Sequence, residues 1–266
     1  MKNKNLEKAY LVNSKTDLDK ILSKKDITRL YIGDQECDFN FLSLLDESFY
    51  LASLNSGKSI TLLLPKFSGK SFQTFLTHVS RNSDVYKNIR NFECCINDYA
   101  CIEGLKHRFP EACFVNGAYL NHQKRDAQIP FEGEDVKIEN SYIKGDFSEY
   151  DSYMKEHRIT SLDVFNVAHG IKIQQLHKKK NLYYPYIIAG FSRYCYSYNL
   201  DQGNTELIIP KKCSGCKGKE VDFEGDIMGK RHYYRGNKYI YSNFTLTNIT
   251  DSELGIDRII YNYDLV

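Results

Sequence analysis

The sequence predicts a closed (β/α)8 barrel of the TIM type, built as a single domain over residues 1–266. Three observations predict it. Short apolar runs recur along the whole chain with polar, helix-compatible stretches between them, the alternation expected of parallel βα units. About eight such units in ~250 residues is the size of a closed barrel. Finally, no long linker interrupts the series and no G-x-G-x-x-G opens a helix after the first strand, which sets the chain apart from a doubly wound open sheet.

The strand signals, in order, are Ile27–Ile32 (ITRLYI), Ile60–Leu64 (ITLLL), Phe92–Ile96, Cys113–Val115, Leu162–Val167 (LDVFNV), Tyr186–Ala189 (YIIA), Leu207–Ile209 and Tyr239–Tyr241. Amphipathic stretches at Phe41–Asn55, Ser71–Ser80 and Tyr99–Arg108 supply helices between the earlier ones. In the last of these, Cys101, Leu105 and Arg108 share one face at helical spacing. The region 203–235 breaks the alternation, being rich in Lys and Gly, and is read as an insertion or long loop over about 196–235. The charge run Lys178–Lys180 reads as a solvated helix end.

Lys+Arg 36 against Asp+Glu 34 leaves a net charge of +2. That balance gives no electrostatic reason to expect bulk nucleic acid or an anionic membrane as partner. The first twenty residues lack the apolar core of a secretory signal, and no window of ~18 apolar residues occurs. A cytoplasmic, reducing location is therefore expected, where stable disulfides are rare. The eight cysteines then read as metal ligands, reactive thiols or small core residues.

Cys213-Ser-Gly-Cys216 is a C-x-x-C whose Ser and Gly allow a tight turn, so both sulfurs can reach one ion or cluster. Lys211, Lys212, Lys217 and Lys219 flank it and favour thiolates. Cys195, upstream in SRYC, is the natural third ligand. Cys37, after the strand signal YIG, is placed to meet it if barrel closure brings the first and last strands together. Cys94 and Cys95 are adjacent on a strand, Cys101 sits on an apolar helix face and Cys113 heads a strand; all four read as packing residues. His169, after a strand signal, is a candidate acid or base at the barrel mouth, and Asp98 is a second, equally well explained as the start of a helix. The chain lacks a G-x-S-x-G elbow and a complete G-x-x-x-x-G-K-[ST], which removes support for a serine esterase and for nucleotide hydrolysis.

Several ordered segments resemble one family. YIGDQEC (31–37), INDYACIEGLKHRFPEACFVNGAYLN (96–121), SRYC (192–195) preceded by YPYIIAG, KKCSGC (211–216) and RGNKYIYSN (235–243) are similar to stretches of the collagenase-like peptidases, in the UbiV-like iron-sulfur branch. The last cysteine pair departs from that branch's C-x-x-x-C, and Ala100 stands where a Gly is usual. The resemblance implies a barrel in which Cys37, Cys195, Cys213 and Cys216 carry a 4Fe-4S cluster, acting in oxygen-independent hydroxylation or a related redox modification of a small molecule, RNA or peptide. It also implies a homologous peptidase-like barrel as partner in a heterodimer. The alternatives are a peptidase or hydrolase barrel whose four cysteines hold a structural zinc, and a non-catalytic partner subunit.

Overall fold

A computed structural model describes residues 6–13, 18, 21–45, 48–129, 132–143, 147–173, 178–210, 213, 220–222, 231–246 and 255–262. Eight parallel strands close into a barrel in the order β1 (Glu7–Val12), β2 (Arg29–Gly33), β3 (Ser59–Leu63), β4 (Glu93–Ile96), β5 (Cys113–Asn116), β7 (Ile159–Phe165), β9 (Lys179–Tyr184) and β14 (Arg258–Tyr261), with β14 returning to β1. The expected fold class is therefore observed. A two-stranded sheet, β6 (Tyr142–Ile143) with β8 (Lys172–Ile173), lies outside it.

The helices flanking these strands are α1 (Asp38–Leu45), α2 (Ser48–Leu54), α3 (Gly69–Arg81), α4 (Ser83–Lys87), α5 (Cys101–Lys106), α6 (Glu134–Ser141) and α7 (Phe147–Glu156). Ser68 caps α3, its side-chain oxygen accepting the Ser71 N–H, and Phe75, Leu76 and Val79 form the buried face. In α5, Cys101 and Leu105 are buried as their spacing predicts. Barrel strands are covered on both sides, so their residues are apolar runs with little alternation; β2 is buried at all five positions.

The strand assignments need correcting at both ends of the chain. The first barrel strand is β1, ahead of the ITRLYI signal, which is the second. The seventh is β9, whose opening Lys179 and Lys180 are the charge run read as a helix end. The eighth is β14, which the signals omit. Tyr186–Ala189 and Tyr239–Tyr241 are real strands, but they belong to a separate antiparallel sheet of β10 (Tyr186–Phe191), β13 (Lys238–Ser242), β12 (His232–Arg235) and β11 (Glu220–Asp222). Leu207–Ile209 forms no strand and its side chains are exposed, from 45% at Leu207 to 49% at Ile209. An apolar run reports burial or β-propensity but not which sheet receives it.

The antiparallel sheet occupies the connection between β9 and β14, with the short helix α8 (Tyr196–Asp201) between β10 and β11. It begins at Tyr186, ahead of the expected insertion boundary. Joining the C-terminal end of β9, it lies at the barrel face where βα loops build sites in this architecture. No helix among the described residues is long and apolar enough to cross a membrane.

Candidate functional site at the C-terminal mouth of the barrel

The loop after β2 lies at this mouth. It leaves the strand at Gly33, whose φ is +142° and whose added Cβ would lie 2.2 Å from the Leu63 carbonyl oxygen, so only glycine fits. Asp34, Gln35 and Glu36 follow, all buried. Lys238, the first residue of β13, reaches into this loop with its Nζ 2.8 Å from Asp34 Oδ2 and 3.4 Å from Glu36 Oε2. Two carboxylates thus share one ammonium. Burial opposes ionisation of Asp34, but the Lys238 charge and the Asn40 amide hydrogen bond at 2.7 Å outweigh it and hold this carboxyl below its usual range. For Glu36 burial wins over the same ammonium, pushing its carboxyl up to about 7. Tyr119, after β5, donates a hydrogen bond to Glu36 Oε1.

Asn237 ties the sheet to the same loop. Its amide donates to the Glu36 carbonyl at 2.9 Å and to the Ser192 carbonyl at 2.8 Å. Those two carbonyls precede Cys37 and Cys195 by one and three residues. Each cysteine in turn stands before a helix: Cys37 Sγ accepts the Asn40 N–H at the start of α1, and Cys195 Sγ accepts the Tyr198 N–H at the start of α8, both at 3.4 Å. Each sulfur thus accepts a backbone N–H in the first turn of a helix, a group that such a turn leaves without an intrahelical partner.

The route by which these loops approach differs from the expected one. Cys37 follows the second strand, Cys195 follows a strand of the added sheet, and the closing seam lies between β14 and β1. The sheet itself, folded over the mouth and pinned by Asn237 and Lys238, carries the late cysteine segment to the early one. Cys213 is described and half-buried, while Cys216 and the flanking Lys211, Lys212, Lys217 and Lys219 lie outside the described residues. Among the described residues, no group of three or more His, Cys, Asp or Glu is arranged to hold a metal ion.

His169 lies half-buried in the turn after β7, at the same end of the barrel. Asp98 Oδ1 accepts the Ala100 N–H at 3.0 Å, which shapes the turn entering α5. Of the four cysteines read as packing residues, Cys94, Cys95 and Cys101 are buried. Burial raises the thiol pKa of all three, to about 12 at Cys101. Cys95 also donates to Asp163 Oδ2 at 3.3 Å inside the barrel. Cys113 is half-buried, and lines a cavity of about 850 Å³ at the opposite, N-terminal mouth.

Below the site a polar network crosses the barrel interior. Asp163 Oδ1 and Oδ2 accept from Asn181 (2.8 Å), Tyr183 (3.0 Å) and Tyr31 (3.3 Å), and Tyr31 accepts from Arg258 (2.7 Å). Arg258 and Arg29 are then bracketed by Glu7 and Glu93 at 2.7–3.3 Å. Burial pushes Asp163 up to about 6. Lys238, Glu36, Tyr119 and Asn237 were not singled out from the sequence. A lysine inside the Tyr-rich GNKYIYS run carries no local sign that it will be buried beside acids distant in the chain.

The architecture is a parallel (β/α)8 barrel with an antiparallel sheet joined at its C-terminal mouth. Compared with known proteins, the chain shows no significant match to a family model, a curated protein or a solved structure.

Proposed function

We propose that this chain is a UbiV-like iron-sulfur barrel protein, with Cys37, Cys195, Cys213 and Cys216 as the ligands of a 4Fe-4S cluster. It acts in oxygen-independent hydroxylation or a related redox modification of a small molecule, RNA or peptide, together with a homologous barrel. The observation that carries this reading is the Asn237 bridge, which holds the Cys37 and Cys195 segments in adjoining loops. The donor set also fits in its chemistry: thiolates select iron-sulfur or zinc centres, and both described helix-start sulfurs already accept N–H bonds of the kind that tune such centres.

When bound, the cluster supplies one-electron transfer. The chain's own residues have other tasks. Lys238 offsets the charge of Asp34 and Glu36 close to the ligand loop, and Tyr119 orients the Glu36 carboxyl. Cys94, Cys95 and Cys101, buried and protonated, stay out of the ligand set. Anaerobic purification followed by iron and acid-labile sulfide analysis tests the reading. A colourless protein with one zinc and no labile sulfide favours the hydrolase alternative instead.

A further inference from the structure

The loop after β5 holds a cation at the mouth that the cluster does not use. The Arg125 guanidinium lies over the Tyr119 ring at 4.3 Å and near the Phe165 ring at 5.5 Å. Its Nη1 is buried with no hydrogen-bond partner, and among the described residues Arg125 forms no ion pair. A buried guanidinium N–H without an acceptor costs free energy, and each such group in a folded chain calls for an explanation. The carboxylates of the adjoining loops have other partners: Asp34 and Glu36 share Lys238, with Tyr119 on Glu36, while Asp126 accepts the Gln128 N–H at 2.9 Å. Phe191, at the end of β10, packs on Tyr119 at 4.9 Å yet remains 40% exposed.

We infer that Arg125, Tyr119 and Phe191 form a substrate-recognition site for a planar, conjugated molecule bearing a carboxylate or phosphate. The guanidinium fork matches either acid in two parallel hydrogen bonds, and its seat over the Tyr119 ring restricts its freedom, so that less is lost on binding. The exposed Phe191 face offers the ring of such a ligand an offset or edge contact. A neutral ligand would leave the Arg125 N–H unmet, so the site discriminates by charge as well as shape. The inference deepens the proposed function by naming the substrate class at the same mouth, and so rests on that mouth being the working end.

The test titrates the full chain, purified anaerobically, with benzoate, phenyl phosphate and benzyl alcohol, followed by saturation-transfer NMR. Both acids should bind in the millimolar range or tighter, and benzyl alcohol at least about tenfold more weakly. The stronger of the two acids identifies the group recognised. Arg125→Gln should weaken the acids by about tenfold or more and leave benzyl alcohol unchanged, with Arg125→Lys in between because it keeps the charge but loses the fork. Phe191→Ala should weaken both acids. Equal binding of acid and alcohol, no binding of either acid, or an Arg125→Gln protein that melts as wild type and binds as wild type would overturn the inference. Iron and sulfide content, measured on the same samples, reports on the cluster separately, so loss of one result leaves the other readable.

Discussion

Lys238 Nζ stands 2.8 Å from Asp34 Oδ2, joining residues 204 positions apart in the chain. Both side chains are buried to within a few per cent. This contact and the neighbouring Asn237 bridge are what convert an inserted sheet into part of the barrel's mouth. The sheet arrives as a hairpin-rich insertion after β9, and the loop after β2 receives it. A seating of the sheet that separated these two buried charges would leave one without its partner, at a cost of about 3–5 kcal/mol.

Replacing Lys238 by Met should therefore cost about 3–5 kcal/mol of unfolding free energy, the range seen when one partner of a buried pair is removed. Denaturant unfolding monitored by circular dichroism measures it. Adding Asp34→Asn to Lys238→Met should recover part of the loss. A single variant within about 1 kcal/mol of wild type would show that water reaches and screens the pair.

Gly33→Ala should destabilise by about 1–3 kcal/mol or more, since the residue keeps a φ of +142° and its Cβ would meet a backbone carbonyl that cannot rotate away. Gly69→Ala is the control: its Cβ would meet nothing within 4 Å, and it lies in the first turn of α3. Equal melting temperatures for the two variants would contradict the geometry at the β2 exit.

Asp163 gives a pH dependence of defined sign. Its folded pKa of about 6 lies above the ordinary carboxylate value because burial disfavours the charged form. The folded state therefore holds this proton more tightly than the unfolded state does. The stabilising contribution is complete below about pH 4 and fades as pH rises to about 6, at a total on the order of 2–3 kcal/mol. Melting temperatures of wild type and Asp163→Asn, compared across that window, isolate it. Their difference should change with pH between about 4 and 6 and be flat above it. A difference that is flat throughout would remove Asp163 as the titrating group.

Asn237→Ala should lower iron retained per chain under anaerobic gel filtration while leaving the barrel folded, because it releases the Glu36 and Ser192 carbonyls together. Iron retention equal to wild type would mean that Lys238 alone seats the sheet.

Much of the barrel was legible because parallel strands covered on both faces leave plain apolar runs, as in ITRLYI and ITLLL. The termini were not. EKAYLV starts with two charges, KKNLYY begins with two lysines at the barrel's outer rim, and RIIY carries an arginine that the interior network neutralises through Glu7 and Glu93. Local pattern could not show that YIIA and YIY pair with each other, since antiparallel and parallel strands share the same period. Cys37 and Cys195 were singled out, but the route that joins them was read wrongly. It depends on Asn237 and Lys238, polar residues whose role exists only once the sheet has folded over. Arg125 does not stand out in the sequence, because nothing in NHQKRDAQ distinguishes a guanidinium seated over aromatic rings from a solvated one.

Iron and acid-labile sulfide per chain after anaerobic purification test most directly whether the cysteines of the mouth hold an iron-sulfur cluster. The account predicts about four of each in wild type, matching the 4Fe-4S stoichiometry, marked loss in Cys37→Ala and Cys195→Ala, and no loss in Cys113→Ala, which lies at the opposite mouth. A folded wild-type chain with zinc and no labile sulfide, or iron content indifferent to Cys37→Ala and Cys195→Ala, would contradict it.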